Sequence, residues 1–305
     1  MKQTILFLIF ALLGTSTFAQ LQFENLANMP AARGAVTSAA DSNAIYVANG
    51  YSKTVNYTPE VEKYDISSNT WELLTNKTIP KRFASSAVVG GKLYIFNGLT
   101  AHGALNEKVE VVDLATGEVD YAAVNPNPVY GGGVAVWEGQ IYAFGGARSA
   151  KEFSDKLYKF DPATNMWTAL ASMPEAKEAR GAIVDGHLYT LGGYNGKQSS
   201  EVAMYDLHTG TWAHVADLPV KVSGHAVAVN GTDIYLVGDY TDLARLGYFD
   251  TRTRTYHALQ SNMTGRRHAA SHILDGKLYV AGGNRQTPIT TSLSKLEAAS
   301  IDTVD

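Results

Sequence analysis

The chain has 305 residues, of which 45% are hydrophobic and 18% are charged. This composition is typical of a globular protein with a large buried core and excludes a disordered one. The 25 basic and 29 acidic residues leave a net charge of -4 without a long run of either sign, so nucleic acid is not an expected partner.

The first 19 residues have the pattern of a secretory signal peptide of bacterial type. Lys2 supplies the positive start, residues 5–13 are apolar, and Thr17-Phe18-Ala19 is a small-x-small cleavage site. The apolar stretch is shorter than the roughly 20 residues that span a bilayer. We therefore expect cleavage before Gln20 and export to the periplasm or the extracellular space, with no membrane anchor after cleavage.

The chain has no cysteine. It can therefore form no disulfide bond and carry no lipid on a cysteine after export. We expect the stability of the exported protein to come from its core and from closure of the fold, which a chain of this length can supply.

A phrase of the form aliphatic-Tyr-x-x-Gly-Gly, or a close variant, recurs six times after the signal segment. Successive motif tyrosines are 44 to 48 residues apart. The six copies are Ile45 to Gly50, Leu93 to Gly98, Ile141 to Gly146, Leu188 to Gly193, Ile234 to Asp239 and Leu278 to Gly283.

Each copy also carries similar flanking residues. Upstream there is a Met-Pro pair or an equivalent, at Met29-Pro30, Ile79-Pro80, Asn127-Pro128, Met173-Pro174, Leu218-Pro219 and Met263-Thr264. Downstream an apolar-x-Tyr-Asp strand precedes a tryptophan, at Trp71, Trp167 and Trp212. Tyr256 takes that place in the fifth copy, and the second copy has lost its aromatic residue.

The segments between these signals are short β-branched and aromatic runs separated by Gly, Asn, Asp and Pro, with no helical periodicity. Each repeat therefore predicts about four strands, which make one propeller blade. We expect the glycine pair to bend a strand sharply beside the next blade, at positive φ. The repeated Tyr and Trp are expected to fill the wedge between blades.

These motifs resemble the kelch repeat family over residues 21 to about 300. The resemblance implies an all-β, six-bladed propeller with four-stranded blades, one domain over residues 20–305, and repeats at about 27–74, 75–122, 123–170, 171–216, 217–260 and 261–300. The sixth copy ends without a tryptophan strand. Phe23 has the same spacing to Met29 as Trp167 has to Met173, so we predict that a strand over residues 21–26 closes the last blade and removes an open edge.

A first ring of candidate binding residues follows the Met-Pro pairs. Alignment on the motif tyrosine places Arg33 with Arg82, Tyr130, Lys177, Val222 and Arg267, followed by Phe83, Glu178, Ser223 and His268, with Arg180 and His225 further in. Such a ring suits a carboxylate, a phosphate or an acidic peptide, because guanidinium groups pair with planar oxyanions. The alternative interpretation is that these arginines belong to the kelch pattern and bond loop carbonyls; Arg180, outside the repeat position, fits it least.

A second ring follows the glycine pairs and contains Tyr51, Leu99, Arg148, Tyr194-Asn195, Tyr240 and Asn284-Arg285. Loops on a rigid scaffold often carry binding residues, and exposed Tyr and Arg are favoured interface anchors. The alternative interpretation is that the tyrosines only cover the neighbouring blade.

Enzymes with kelch-type propellers provide a test of catalytic function. Galactose oxidase needs a tyrosine crosslinked to cysteine, which this chain lacks, and the iron motif of specifier proteins has no match. The bacterial sialic acid mutarotase is a more distant resemblance, for which Glu178, Arg180 and His225 are the weak catalytic candidates. The eight histidines are scattered, so no metal site and no cofactor are predicted.

Two hypotheses remain. The first is a binding module, not an enzyme, that presents one face of the propeller to a protein or peptide. The alternative is a propeller that binds or isomerises a sugar or small anion. We expect a monomer in either case.

Overall fold

The computed structural model describes residues 20–285 and 291–301, so the predicted signal peptide lies outside the described residues. Two short strands come first, β1 (Gln20–Leu21) and β2 (Glu24–Asn25). The first blade follows with β3 (Thr37–Ala40), β4 (Ala44–Ala48), the loop hairpin β5 (Tyr51–Ser52) and β6 (Asn56–Tyr57), then β7 (Val61–Asp65) and β8 (Thr70–Thr75).

The second and third blades have the same order of strands. The second contains β9 (Lys81–Arg82), β10 (Ser85–Val89), β11 (Lys92–Phe96), β12 (Leu99–Thr100), β13 (Val109–Asp113) and β14 (Val119–Ala122). The third contains β15 (Gly133–Trp137), β16 (Gln140–Phe144), β17 (Leu157–Asp161) and β18 (Met166–Ala169).

The remaining strands form three further blades. The fourth contains β19 (Gly181–Val184), β20 (His187–Leu191), β21 (Ser199–Asp206) and β22 (Thr211–Val222). The fifth contains β23 (Ala226–Asn230), β24 (Asp233–Val237), β25 (Leu246–Asp250) and β26 (Thr255–Ala258). β27 (Gln260–Ser261) then leads to β28 (Ala270–Leu274), β29 (Lys277–Ala281) and β30 (Leu296–Ser300).

Six four-stranded antiparallel sheets are arranged as the blades of a propeller. The innermost strands β3, β10, β15, β19, β23 and β28 each contact the innermost strands of both neighbouring blades and surround a central channel. The described residues contain no helix long and apolar enough to cross a membrane. The predicted six-bladed all-β fold is therefore confirmed.

The N-terminal strand closes the ring. The last sheet has the order β28-β29-β30-β2, in which Glu24 pairs with Ala298 and Asn25 with Glu297. The Asn262 amide clamps the entering chain, because its Oδ1 accepts from the Phe23 N–H (2.6 Å) and its Nδ2 donates to the Phe23 carbonyl (3.1 Å). The prediction that the N-terminal segment closes the last blade is confirmed, but the closing strand covers only Glu24–Asn25 of the predicted residues 21–26, because Leu21 belongs to β1, which pairs in parallel with β27.

The hydrophobic core consists of six clusters, one at each interface between adjacent blades. Each motif tyrosine packs into the cluster toward the following blade, as Tyr46 does beside Leu93 and Ile95. The tryptophans also hold blades together, because the indole N–H donates to a main-chain carbonyl of the preceding blade's outgoing loop: Trp71 to Ala27, Trp167 to Ala123, and Trp212 to Ala171. The expected wedge role of Tyr and Trp is confirmed.

The glycine of each motif bends the chain where a side chain has no room. Gly50 has φ +104°, and a Cβ there would lie 2.8 Å from Val36 Cγ1; Gly98 has φ +103°, and a Cβ would lie 2.9 Å from Lys81 Cδ. Left-handed backbone and close approach both favour glycine.

The two faces of the disc differ. Because Thr37 pairs with Ala48, the segment entering each innermost strand and the loop leaving the second strand lie on the same side. We call this side the loop face; it carries residues 26–36, 49–60 and their equivalents. The opposite side, the turn face, carries the tight turns at residues 41–43, 66–69 and their equivalents.

Candidate functional site

Main-chain pairing on the loop face corrects the alignment of the residues in the predicted first ring. Main-chain bridges equate Gly34, Arg82, Tyr130, Glu178 and Arg267, which pair with Tyr51, Leu99, Ala147, Tyr194 and Asn284 respectively. The true equivalents of Arg33 are therefore Lys81, Val129, Lys177, Val222 and Arg266. The predicted alignment was wrong by one residue for Arg82, Tyr130 and Arg267, because these residues lie one residue nearer to their motif tyrosines than Arg33 lies to its own. Lys177 also lies one residue nearer, but it is equivalent to Arg33 because its repeat is one residue shorter at this point.

The Arg33 position is structural. Arg33 is fully buried and its Nη2 lies 2.6 Å from Glu62 Oε2 on the third strand of the blade. Lys177 is 1% exposed and its Nζ lies 2.7 Å from Glu201 Oε2. Buried pairs of the same kind join Lys81 to Glu110 and Arg266 to Glu297. Arg33 and Lys177 are therefore held in buried ion pairs with glutamates of their own blades.

The bend that follows is left-handed in five of the six repeats, at Ala35, Phe83, Gly131, Gly224 and His268, with φ between +51° and +65°. Four main-chain bonds link these residues across blades: Ala35 N–H to His268 O, Phe83 N–H to Ala35 O, Gly131 N–H to Phe83 O and His268 N–H to Gly224 O. We call these five residues the channel-mouth belt. Left-handed backbone is strained for bulky residues such as Phe83 and His268, and such strain is concentrated at functional sites.

The fourth repeat lacks the belt residue, and Arg180 takes over its bonds. In this repeat, the segment that runs from Lys177 to the residue paired with the motif tyrosine is one residue shorter than the equivalent segment of the other repeats. Arg180 Nη1 donates instead to the carbonyls of Gly131 (3.0 Å), Gly132 (3.2 Å) and Ala179 (2.9 Å). Arg180 thus supplies the donor to the Gly131 carbonyl that the main-chain N–H of the missing residue would supply.

The groups around this gap have shifted pKa values. Burial raises the pKa of Glu178 to about 7, against the opposing effect of Arg180. Burial, aided by Arg180, lowers the pKa of His225 to about 3 and that of His268 to about 3. The centre of the loop face therefore carries an arginine, two neutral imidazoles and a carboxyl group that changes charge near neutrality.

Glu178 and His225 do not line the same cavity. Glu178 lies with Arg180 and His268 around a space of about 10 Å³, whereas His225 is among the residues around the central channel of about 460 Å³. Arg180 is bonded to the main chain, so the three candidate groups do not share the closed polar pocket that a sugar isomerase would need. Within the described residues no three His, Asp or Glu side chains are placed to hold a metal ion.

Around this centre, aromatic rings pack against two arginines, the half-buried Arg82 and the buried Arg267. Three rings surround Arg82, whose Cζ lies 5.8 Å from the ring centre of Tyr51, 5.7 Å from that of Tyr57 and 5.3 Å from that of Phe83. Arg82 is half-buried, and its Nε has no hydrogen-bond partner among residues 20–285 and 291–301. An arginine held by rings rather than by a carboxylate keeps its charge available to a ligand.

A second arginine lies against a tyrosine on the same face. Arg267 Cζ lies 3.9 Å from the ring centre of Tyr240, and its Nη1 donates to the Tyr240 carbonyl. Tyr240 is 42% exposed and Tyr194 is 38% exposed. The exposed tyrosines, with the rings around Arg82, make an aromatic and cationic surface.

Only some residues of the predicted second ring occupy equivalent positions beside the channel mouth. Tyr51, Tyr194 and Tyr240 occupy equivalent positions beside the channel mouth. Arg148 and Arg285 lie one residue further out; Arg148 bonds Glu152 and Asn127 of its own blade, and Arg285 is exposed. The prediction missed Tyr57, beside Arg82, and Phe153, whose ring centre lies 6.0 Å from that of Tyr194. Their position in the loops after the glycine pairs was the available signal.

Fold and surface together define a six-bladed propeller with an aromatic, cationic loop face. Residues 35–239 match the family model described as the KLHDC2/KLHL20/DRC7 Kelch-repeats domain. The chain belongs to the Kelch-repeat family, whose propellers are typically protein-interaction domains.

Curated relatives agree with this assignment. The chain is 30% identical over 144 residues to Kelch-like protein terF of Aspergillus terreus, a match to 41% of this chain and 31% of that protein. It is 27% identical over 150 residues to Kelch-like protein 38 of Mus musculus, 48% of this chain and 25% of that protein. It is 31% identical over 132 residues to mouse Kelch-like protein 35, 41% and 23% respectively. The chain thus spans less than a third of each relative's length.

Proposed function

We propose that this propeller is a non-enzymatic binding module that holds an acidic segment of a protein or peptide partner on its loop face. The observation that carries the proposal is the Arg82 guanidinium, which is held by three aromatic rings and forms no ion pair with a carboxylate of residues 20–285 or 291–301. Four buried basic residues, by contrast, have acidic partners: Arg33 with Glu62, Lys81 with Glu110, Lys177 with Glu201 and Arg266 with Glu297.

The surroundings of Arg82 favour a peptide over a free anion. Tyr194 and Tyr240 stand exposed on the same face, and tyrosine together with arginine is typical of the anchors of protein interfaces. Kelch propellers are typically protein-interaction domains, which supports the same class of partner.

We also propose that the module acts outside the cytoplasm. The support is the basic start, apolar stretch and small-x-small site of residues 1–19. Sequencing the N-terminus of the full-length protein after bacterial expression tests this: a start at Gln20 is expected, and a retained Met1 would contradict export.

Arg82→Ala tests the binding face. Peptides selected from a random displayed library on the wild-type protein should be rich in Asp or Glu, and Arg82→Ala should weaken their binding by about tenfold or more, since a charge-assisted contact is lost. Binding is measured by calorimetry.

Arg252→Ala is the matched control. Arg252 lies on the turn face, and its side chain is 72% exposed, so the same change of charge occurs away from the proposed site. Peptides that bind Arg82→Ala as well as they bind the wild type, or that lose affinity equally with Arg252→Ala, would place the binding surface elsewhere.

A further inference from the structure

Three polar side chains at equivalent positions of neighbouring blades form an arc on the loop face. Arg82, Tyr130 and Glu178 each stand at the main-chain bridge that opens their blade, in the second, third and fourth blades respectively. All three side chains are half-buried, and within residues 20–285 and 291–301 none of them makes a hydrogen bond or an ion pair. The hydroxyl of Tyr130 and the carboxyl of Glu178 keep contact with solvent, so a ligand can reach them. We call these three residues the loop-face arc.

The members of the loop-face arc lie next to one another. The Phe83 ring joins the first two, because its centre lies 5.3 Å from Arg82 Cζ and 6.2 Å from the ring centre of Tyr130. The Glu178 carboxyl lies against the residue that follows Tyr130, since a Cβ on Gly131 would be 2.9 Å from Glu178 Oε2. Burial and Glu178 raise the pKa of the Tyr130 hydroxyl, and Arg82 opposes them. A cation, a phenol and a carboxyl group therefore follow one another across three blades.

The charge of the Glu178 carboxyl is poorly compensated. Arg180 is a charged neighbour, but its Nη1 donates to the main-chain carbonyls of Gly131 and Gly132 rather than to the carboxyl group. Burial therefore outweighs the effect of Arg180 and raises the pKa of Glu178 to about 7. A further cation close to this carboxyl group would favour its ionised form and be attracted to it.

The small cavity beside Glu178 offers no second cation from the residues that the structure describes. Besides Glu178 and Arg180, the cavity is lined by Phe83, Ala179, Tyr194, Ser223, Gly224 and His268. His268 is neutral near pH 7, because burial, aided by Arg180, lowers its pKa to about 3. The cation that would pair with Glu178 is therefore left for a ligand to supply.

We propose that the partner segment is bipolar: an acidic residue pairs with Arg82, and a lysine or arginine of the same segment pairs with Glu178. This inference rests on the proposed peptide-binding function of the loop face and names the chemistry of the peptide. The part of the segment between the two charges packs on the rings of Phe83 and Tyr130. Opposite charges at the two ends of the loop-face arc also fix the direction of the segment, because a reversed segment would bring like charges together.

Selection on two proteins tests the chemistry of the segment. The random displayed library is selected at pH 8 on the wild type and on Glu178→Gln. Peptides from the wild type should be rich in Lys or Arg as well as in Asp or Glu, whereas peptides from Glu178→Gln should keep the acidic residues and lose the enrichment of basic ones. Glu138→Gln is the matched control, because Glu138 is exposed in the turn between β15 and β16 and should select the same peptides as the wild type.

The outcome separates this inference from the proposed function. Acidic peptides without basic residues, selected equally by the wild type and Glu178→Gln, would overturn the inference and leave the proposed function intact. Peptides that carry both charges but bind Arg82→Ala as well as they bind the wild type would contradict the proposed function, and this inference with it.

A double-mutant cycle tests the contact itself. Each basic residue of a selected peptide is replaced by alanine in turn, and calorimetry measures the binding of every peptide to the wild type and to Glu178→Gln. One replacement should weaken binding to the wild type by about tenfold and binding to Glu178→Gln only slightly, because the pair is already lost there. Equal weakening for both proteins at every basic position, the result of a purely structural role for Glu178, would overturn the inference.

The pH dependence of binding provides an independent measurement. Because the pKa of Glu178 is raised to about 7, its ionised fraction increases about tenfold from pH 6 to pH 8, and the affinity of a selected peptide without histidine should rise by about the same factor. His225 and His268 stay neutral in this range, since burial lowers the pKa of each to about 3. Glu178→Gln should bind the peptide equally well at both pH values. A constant affinity of the wild type, or the same rise in Glu178→Gln, would overturn the inference.

Discussion

Arg180 was the arginine that the sequence pattern explained least, and the structure shows it to be a main-chain partner. Its Nη1 accounts for three carbonyls around the gap in the channel-mouth belt. Its guanidinium therefore stabilises the junction of the third and fourth blades. A side chain with this duty is poorly placed to act as a catalytic group or as a mobile ligand anchor.

We expect Arg180→Ala to lower the free energy of unfolding by about 3 kcal/mol, because a charged donor to buried carbonyls is removed. Urea unfolding followed by tryptophan fluorescence measures the change. Peptide binding at the loop face should persist in the folded variant. Full stability together with lost binding would mean that Arg180 serves a ligand instead.

The protonation of Glu178 and that of His225 should have opposite effects on the free energy of unfolding in acid. In the folded protein the pKa of Glu178 is raised to about 7, so between its ordinary value and 7 only the folded state holds that proton, and stability falls as pH rises. The pKa of His225 is lowered to about 3, so below about 6.5 only the unfolded state gains that proton, and stability falls as pH drops.

Glu178→Gln therefore should be more stable than the wild type at pH 8, by up to about 3 kcal/mol, and should lose this advantage as pH falls toward 4.5. Its stability should decline in acid more steeply than that of the wild type, since the histidine effect is no longer offset. Denaturation curves at pH 8, 6 and 4.5 measure both. A constant difference across this range would mean that Glu178 keeps its ordinary pKa.

At the scale of the strand, each motif tryptophan has two roles: its ring packs between blades, and its indole N–H donates a hydrogen bond to the preceding blade. Trp167 packs in the cluster between the second and third blades, and its Nε1 donates to the Ala123 carbonyl at 3.2 Å. The second repeat lacks the residue and the fifth has Tyr256, so this bond is not made at every interface.

Trp167→Phe should cost about 1 kcal/mol, the net worth of one hydrogen bond, and Trp167→Ala about 3–5 kcal/mol, because a cavity is added. Thermal and urea unfolding of the two variants separate the indole N–H from the packing of the ring. Equal losses for both variants would show that the bond, not the ring, holds the blades.

The strands and blades could be predicted because aromatic and glycine spacing follows directly from the packing of one sheet on the next. The closing strand could be predicted because Phe23 stands in the place of Trp167. The loop face could not be predicted residue by residue, because a one-residue deletion in the fourth repeat is invisible until the register of the strands is known. Whether an arginine pairs with a buried glutamate, as Arg33 does, or lies among rings, as Arg82 does, depends on that register.

At the scale of the whole molecule, the ring depends on a strand of two residues. β2 covers the edge of β30, and without it the last blade would end in an unpaired edge. Leu21 and Phe23 also enter the cluster between the fifth and sixth blades. The N-terminal segment thus contributes both hydrogen bonds and core.

A protein that begins at Leu26 should melt at a lower temperature and form soluble aggregates, because an exposed edge pairs with other chains. Differential scanning calorimetry and light scattering measure these effects. Glu24→Gln, in the full mature chain, is the control, since it keeps every main-chain bond. A truncated protein that stays monomeric with unchanged melting would show that β2 does not close the ring.

The missing belt residue of the fourth repeat also has a consequence for geometry. A disc of six similar blades offers a partner six related rotational settings around its axis. The entry segment of the fourth repeat, which is one residue shorter than its equivalents, makes the main chain at the channel mouth different in one of these settings, beside Glu178 and the rings of the loop face. The disc therefore has a fixed rotational reference, and a partner that fits this gap is held at a single angle around the axis.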